Sequence, residues 1–447
     1  MNRKTEADES PKIAVMGVFA NLDRVYSVAG IVTDQLKLLT DEGHKLVFLT
    51  TTDFRDQELI PVGVEVRTYP RFTGAVPFPE DNLDAFNVYV AETGVILAEL
   101  LKDCSICITH DVMFLLDYLP INWALRTAAE SLPDLRFLHW IHSAPFARAK
   151  EIEYPITGFY QPLKNSQYVY LNRTDVSRLA EMVGVAEGLV RLVHNPIDLC
   201  AYKNVHPLAQ EILEKIDYFM ADTICIYPIR LNPAKQADKV IKLVAALKQH
   251  GQSVRLIVCN SYNSLAWKKN VDPDEKYLSE LKETGEKWGL TETELIFTSK
   301  FESQWAKEAN HNMELGLPRE AISGLMAASD LFVLPSLTEA CSLIMLEAAI
   351  SKNLVVLNED LESLHEFGGL KNEPTGSRRA VYIPFGNLYR PIEQYNPSEP
   401  EWYVEYARVL IDMQSRDKAV QFFKYVRKRH HPKWIYQHQI QPLLGDK

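Results

Sequence analysis

Two successive α/β domains, each a doubly wound parallel sheet, are the fold class this sequence predicts. Three observations predict it. Short β-branched runs alternate with amphipathic, helix-length stretches from residue 12 onward. The first run, KIAVMGVFA (12–20), reads as a buried parallel strand. The whole alternation then restarts at TICIYPIR (223–230). Strand–helix–strand order of this kind gives a parallel sheet with helices on both faces.

The elements follow in order. After the first strand comes a helix with Ile31, Leu36 and Leu39 on one side, ended by Gly43. KLVFLTTT (45–52) is the next strand, followed by VEVRTY (64–69), CSICITH (104–110), LRFLHWIH (135–142), YVYLN (168–172) and LVRLVHN (189–195). The second series starts at 223–230 and continues with an amphipathic helix, VIKLVAALKQH (240–250). Its further strands are VRLIVCN (254–260), LIFTSKF (295–301), DLFVLPS (330–336) and LVVLN (354–358). Between Leu199 and Asp222 the chain is charged and carries no strand signal. The expected division is therefore a first domain over 1–200, a linker over 201–222 and a second domain over 223–400. A helical tail follows over 401–447, with Tyr403, Tyr406, Leu410, Phe422 and Phe423 as packing residues.

Composition narrows the function. In 447 residues, 47% apolar and 24% charged is an ordinary globular balance, which excludes a disordered chain. The 48 Lys and Arg against 59 Asp and Glu leave a net charge of −11. That does not suit a protein coating nucleic acid or an anionic membrane, although a local basic cleft stays open. Six scattered Cys point to a reducing compartment rather than a disulfide scaffold. The N-terminus, MNRKTEADESPK, has no apolar segment behind it. The most apolar stretch, Leu331 to Ile350, is broken by Pro335, Glu339 and Glu347. The expected setting is cytoplasmic. There is no Gly-x-Gly-x-x-Gly, no Gly-x4-Gly-Lys-Ser/Thr and no Gly-x-Ser-x-Gly. A nicotinamide site, a P-loop and a serine-hydrolase elbow are disfavoured accordingly.

Two segments carry a chemical signal. In SDLFVLPSLTEACSLIMLEAA (329–349), a strand runs into a turn at Pro335-Ser336, and a helix is expected to begin near Ala340. Glu339 then stands at the helix mouth and Glu347 eight residues on, about 12 Å along and on a similar face. The free N–H groups and positive dipole of the helix start make a natural diphosphate seat. The plain alternative is a capping Glu339 and a solvated Glu347. In IYPIRLNPAKQADKVI (226–241), Arg230 and Lys235 lie just past a strand end, where open α/β sheets bind ligands. Two cations there suit a phosphate-bearing ligand. Standing alone, they read as surface charges.

Together these segments resemble the retaining GT-B glycosyltransferases of family 4, which use nucleotide-sugar donors. That family has a Gly-Arg-Leu-x-x-x-Lys loop and a Glu-x7-Glu helix; this chain reads Ile229-Arg230-Leu231 with Lys235, and Glu339 to Glu347. SDLFVLPS, LVRLVHNPIDL (189–199) and Gly43-His44 fit as well. The resemblance spans roughly 12–435 and is most specific over 226–366. It implies two Rossmann-like domains facing a cleft, with the C-terminal helices crossing back to the first domain.

The resemblance also assigns roles. Arg230 and Lys235 would hold the donor diphosphate with the helix start at Cys341, Ser342 and Leu343. Glu339 would meet the transferred sugar and Glu347 the ribose. Gly30 would lie on the donor side. Glu366 falls where the family often has another helix-start Glu. His142, after the strand 135–142, would lie near the reacting sugar, with His110 beside it on the acceptor side. The catalytic set is then His142, Glu339, Arg230 and Lys235. Ala340 and Ser342 stand where the family has Gly, and Cys341 where it has an aromatic, so side chains narrow the sugar pocket.

No metal and no cofactor are expected, since no Asp-x-Asp lies at a strand end; the donor defaults to a UDP-sugar. His139 points to the other face of its strand and reads as structural. Cys104 and Cys107 with His110 lack the further ligands that zinc needs. The basic run KYVRKRHHPKW (424–434) reads as a charged helix end followed by Trp434 anchoring the tail. A nucleic acid acceptor, such as a modified DNA base, stays open beside a saccharide, lipid or metabolite. The alternatives to a glycosyltransferase are a GT-B epimerase or phosphorylase-like enzyme, and a non-catalytic nucleotide-sugar-binding module.

Overall fold

The computed structural model describes residues 12–22, 27–73, 83–146, 154–261, 273–339, 342–369, 378–387, 390–391 and 399–445. The chain forms two compact units, one of residues 1–196 with 432–447 and one of residues 197–431.

The first unit is built on a seven-stranded parallel sheet in the order β3-β2-β1-β4-β5-β6-β7. The strands are β1 Lys12–Met16, β2 Leu46–Thr51, β3 Glu65–Tyr69, β4 Cys104–His110, β5 Arg136–Ile141, β6 Ser166–Tyr170 and β7 Val190–Leu192. Its helices before residue 197 are α1 Ser27–Asp41, α2 Leu83–Leu101, α3 Leu119–Glu130 and α4 Val176–Val183. Strand periodicity divides the apolar residues between two faces. Ala14 and Met16 pack with Phe86 and Leu97 of α2 and with Leu125 of α3. Ile13 and Val15 pack with Val32, Leu36 and Leu39 of α1. Gly43, at φ +78°, ends α1 as expected, because a left-handed residue lets His44 N donate back to Leu39 O at 3.0 Å.

The second face of this sheet is completed by the end of the chain. Ile435, Tyr436, Ile440 and Leu443 are buried against it, with Trp434 packed alongside. Three polar ties fix this segment: Tyr436 OH to His44 Nε2 at 2.8 Å, Gln439 Oε1 to His194 N at 2.8 Å, and Arg136 Nη2 to Leu443 O at 2.7 Å.

The second unit has a six-stranded sheet in the order β10-β9-β8-β11-β12-β13, with every pair parallel. These strands are β8 Thr223–Arg230, β9 Val254–Ser261, β10 Leu295–Phe297, β11 Leu331–Leu334, β12 Leu354–Asn358 and β13 Val381–Ile383. A two-stranded ribbon, β14 Gly386–Asn387 and β15 Arg390–Pro391, follows. The helices are α5 Leu199–Tyr202, α6 Pro207–Lys215, α7 Ala237–Gln249, α8 Pro273–Lys287, α9 Gln304–Glu308, α10 Arg319–Ala328, α11 Leu343–Ile350, α12 Glu362–Gly368, α13 Glu399–Arg416 and α14 Lys418–Arg429. Val240, Val244 and Leu247 of α7 share a core with Trp402, Tyr403 and Leu410 of α13.

Two boundaries and one packing residue differ from the sequence expectation. The segment 201–222 is not a free linker: Leu208, Ala209, Ile212 and Leu213 give α6 a buried stripe within the second unit. The tail 401–447 divides, its first 31 residues, up to His431, staying with the second unit. Phe422, expected to pack, is 68% exposed.

The basic run is largely turned inward. Arg427 Nη1 lies 3.0 Å from Asp330 Oδ2, both side chains fully buried, and its Nη2 donates to Ala221 O at 2.9 Å. Asp330 in turn accepts from Ile224 N at 2.8 Å. Lys428 pairs with Asp222 at 2.5 Å, and Lys424 bonds Gln414 at 2.6 Å. Removing one partner of a buried pair strands the other charge. Arg427→Ala is therefore expected to destabilise the second unit by about 3–5 kcal/mol, read by urea unfolding.

Candidate functional site

In an open α/β sheet the ligand crevice lies where strand order reverses. In the second unit that point is between β8 and β11. The loop after β8 carries Lys235, and the loop after β11 carries Glu339. The structure joins them: Lys235 Nζ and Glu339 Oε1 form an ion pair. Lys235 is partly exposed and Glu339 less so, which leaves the pair open to a ligand.

The two loops are fastened to each other. Asn232 caps the short turn Pro233–Lys235 by accepting from Ala234 N, and Gln236 takes a left-handed φ of +53° before α7. Gln236 Nε2 then donates to Pro335 O at 2.5 Å and to Phe385 O at 3.3 Å. Leu337 N donates to Ala234 O at 2.9 Å. Tyr227 OH reaches Lys235 O. From below, Asn358 Nδ2 holds Ser336 O at 3.0 Å, and Ser363 Oγ donates to Glu339 O at 2.6 Å. Gln236 and Asn358 are both buried. They keep the Lys235–Glu339 geometry in place.

The other predicted donor residues are placed differently. Arg230 ends β8 and is exposed, and its guanidinium has no hydrogen bond among the described residues. Helix α11 starts at Leu343, not near Ala340, because Ser342 is extended (φ −92°, ψ 104°). Glu339 thus stands four residues ahead of the helix, and Glu339 and Glu347 do not share one helical face. Ser342 is buried at the N-cap and Leu343 is exposed. Ala340 and Cys341 lie outside the described residues. Glu347 sits on α11 and pairs with Arg319 Nη2 of α10 at 2.6 Å. Glu366 is the fifth residue of α12, exposed; Glu362, not Glu366, opens that helix.

In the first unit, order reverses between β1 and β4. Gly30 falls in the first turns of α1, and a Cβ added there would meet nothing within 4 Å. His110 ends β4 and His142 follows β5. The structure brings them together, His110 Nδ1 to His142 Nε2 at 2.9 Å with the rings nearly parallel at 13°. His110 Nε2 faces Gln35 Oε1 at 3.0 Å. His142 Nδ1 is buried without a partner among the described residues. Burial holds His142 down at about 4 and His110 well below the ordinary histidine range, with His142 a lesser cause for His110.

Asp111, next after His110, takes a left-handed φ of +55° and accepts from His142 N at 2.8 Å. Burial pushes its carboxyl up to about 6 against the pull of the His142 and Ser143 N–H groups. His139 is fully buried on the opposite face, bonded to Thr109 Oγ1 at 2.8 Å and stacked on Phe137.

Sequence reasoning missed Asp111, Gln35, Gln236 and Asn358. Gln35 had a signal: it is a polar residue on the apolar stripe of α1, three residues after Val32 and four before Leu39. Asp111 had one too, adjacent to a histidine at a strand end.

Among the described residues no group of three or more His, Cys, Asp or Glu is arranged to hold a metal, and no helix is long and apolar enough to cross a membrane. A cavity of about 770 Å³ between α6, α8 and β10 shares no residue with either switch point.

Residues 209–366 match the family model described as Glycosyl transferases group 1. The match spans Arg230, Lys235, Glu339 and Glu347 and ends on Glu366. No curated protein matches the chain. Among solved structures, a glycosyltransferase from Rickettsia africae is similar at 14% identity, with 96% of each chain covered and a TM-score of 0.35. Anabaena HepE, in complex with UDP and glucose, is similar at 14% identity, with 97% of this chain and 99% of that chain covered and a TM-score of 0.34. A sucrose-phosphate synthase from Thermosynechococcus elongatus is similar at 14% identity, with 96% and 94% covered and a TM-score of 0.30.

Proposed function

We propose that this protein is a retaining GT-B glycosyltransferase that moves a sugar from a nucleoside diphosphate donor, by default a UDP-sugar, to an acceptor hydroxyl. The observation that carries the reading is the Lys235–Glu339 pair at the strand-order reversal of the second unit. It lies inside the segment that matches group 1 glycosyl transferases.

An ammonium and a carboxylate side by side fit the two ends of the bond to be broken. As the C1–O bond to the diphosphate breaks, negative charge grows on the leaving oxygen, and the Lys235 ammonium answers it with the Arg230 guanidinium. Glu339, released from Lys235, accepts from hydroxyls of the transferred sugar. The acceptor oxygen bonds C1, and its proton leaves with the diphosphate. Two cations stabilise the leaving group in the place a metal would take, so we propose a metal-independent enzyme. Glu347 exchanges Arg319 for ribose hydroxyls. The pair is exposed on the arginine side, so displacing it costs little. The inward-turned Lys424, Arg427 and Lys428 favour a small acceptor over nucleic acid. A cytoplasmic setting suits the five cysteines among the described residues, all free and four of them buried.

The test is calorimetry with UDP, GDP and ADP, with and without EDTA. Arg230→Ala and Lys235→Ala are each expected to weaken diphosphate binding about tenfold or more, at the loss of one charged hydrogen bond. Unchanged affinity in both variants removes the phosphate role. Binding and turnover that vanish in EDTA and return with manganese remove metal independence.

A further inference from the structure

We infer that Gln35 and His110 are positioning residues that lock the His142 ring in one neutral tautomer, its proton on Nε2 and its lone pair on Nδ1. The inference rests on the reading of His142 as a residue of the transferase site.

The argument starts at Gln35. It is buried on the inward stripe of α1, between Val32, Leu36 and Leu39. A buried amide left unpaired is costly, so a glutamine among these residues needs a partner. It has one: its Oε1 lies 3.0 Å from His110 Nε2. A carbonyl oxygen only accepts, so the proton of the neutral His110 ring is on Nε2. His110 Nδ1 is then bare and accepts across 2.9 Å from His142 Nε2–H.

The last nitrogen of the chain, His142 Nδ1, therefore carries a lone pair. It is buried and has no hydrogen-bond partner among the described residues. This end of the chain selects the same polarity as Gln35 does. Reversing every bond, with the Gln35 amide donating, would put an N–H at Nδ1, and an orphaned buried N–H is rarer than an under-satisfied acceptor. Burial keeps both rings uncharged at neutral pH, so a single polarity can run through them. The main chain of His142 is held separately, by Asp111 Oδ1 at 2.8 Å. Asp111 anchors where the residue sits, and Gln35 through His110 sets which way its ring faces and which nitrogen is protonated. The partner of a functional histidine commonly fixes its tautomer in this way.

Nitrogen-15 NMR of the histidine rings, with His110 and His142 assigned, reads the lock directly and needs no turnover. The wild type is expected to show His142 with Nε2 protonated and Nδ1 bare. Gln35→Glu keeps the shape but offers a carboxylate, which draws a proton onto His110. His110 then donates from both nitrogens, and His142 is expected to invert, with its proton on Nδ1. Gln35→Met removes the acceptor, and both His142 tautomers are expected. In each variant kcat is expected to fall about 10–100-fold, the size of loss seen when the hydrogen-bond partner behind a metal-binding histidine is removed, with donor KM nearly unchanged. Wild-type His142 protonated on Nδ1, or Gln35→Met with an unaltered ring pattern, overturns the lock. An altered pattern with unaltered kcat overturns its role in turnover. The expected pattern in a protein that transfers no sugar from any donor sustains the lock and overturns the proposed function instead.

Discussion

Glu339→Ala is expected to lower turnover by about 10²–10³-fold, the cost of losing one preorganised contact to the reacting sugar, while the affinity for free UDP stays the same or rises. The direction of the second effect comes from the ion pair. Without donor, the Glu339 carboxylate holds the Lys235 ammonium. A diphosphate must compete with it for that cation. Removing the carboxylate frees Lys235 for phosphate and takes away only a contact that free nucleotide never makes. Glu347→Ala is expected to behave in the opposite way. It weakens free nucleotide and donor together, by about 10–100-fold, because both carry ribose. Arg319 then loses its partner, but its side chain is 80% exposed and water replaces the lost contact. Calorimetry with UDP and steady-state kinetics with the donor separate the two glutamates. Equal effects of both on UDP affinity, or wild-type turnover in Glu339→Ala, sink the division of labour.

The proposed division rests, in the sequence, on a spacing alone. Both glutamates and Lys235 could be picked out because they follow strands whose apolar runs are unmistakable, TICIYPIR and DLFVLPS. The strand–loop–helix order sets them just past strand ends, where open α/β sheets bind ligands. What the spacing could not say is where α11 begins. Eight residues along a helix was the natural reading, yet Ser342 is extended, and only Glu347 is helical. The order β10-β9-β8-β11, which makes the loops after β8 and β11 neighbours, is likewise a non-local fact. No local pattern encodes it.

The same limit applies in the first unit. CSICITH and LRFLHWIH read as strands, so His110 and His142 could be set at their ends. Their meeting requires β4 and β5 to pair in the register His110 to Trp140, which sheet assembly supplies. Gln35 and Asp111 explain why His142 is held, and each was visible as an oddity rather than as a site. The helix within 201–222 was hidden by its charge: Glu214 and Lys215 are exposed, Glu211 turns its carboxylate to the N–H groups of Gln304 and Trp305, and only Leu208, Ala209, Ile212 and Leu213 betray a buried stripe. β13 is three residues long, too short to stand out by periodicity.

The second large effect concerns acid. His139, His142 and His110 are buried neutral, with folded pKa values at about 3, about 4 and well below the ordinary range. The unfolded chain binds these protons near pH 6.5. Between that pH and the folded values, the unfolded state holds more protons than the folded one, so stability rises with pH. The stabilisation is complete above about pH 6.5 and is lost as pH falls toward 4. Asp111 works against this trend. Its folded value is raised to about 6, so its contribution is present below the unfolded value and is lost as pH rises through 6. Three histidine protons against one aspartate proton leave the excess with the unfolded state between pH 4 and 6, at about 1.4 kcal/mol per pH unit for each net proton. Unfolding of the first unit in urea, followed from pH 7 to 4, is expected to show that steep loss. His139→Phe keeps a ring against Phe137 and Tyr168 but cannot take a proton, so it should flatten the slope by about one proton, ~1.4 kcal/mol per unit. Asp111→Asn should steepen it by the same amount while lowering kcat, since it removes the charge that anchors His142. A wild-type protein whose unfolding midpoint does not move over this range would mean that these rings are not held neutral, and that the polarity assigned to the Gln35–His110–His142 chain has no basis.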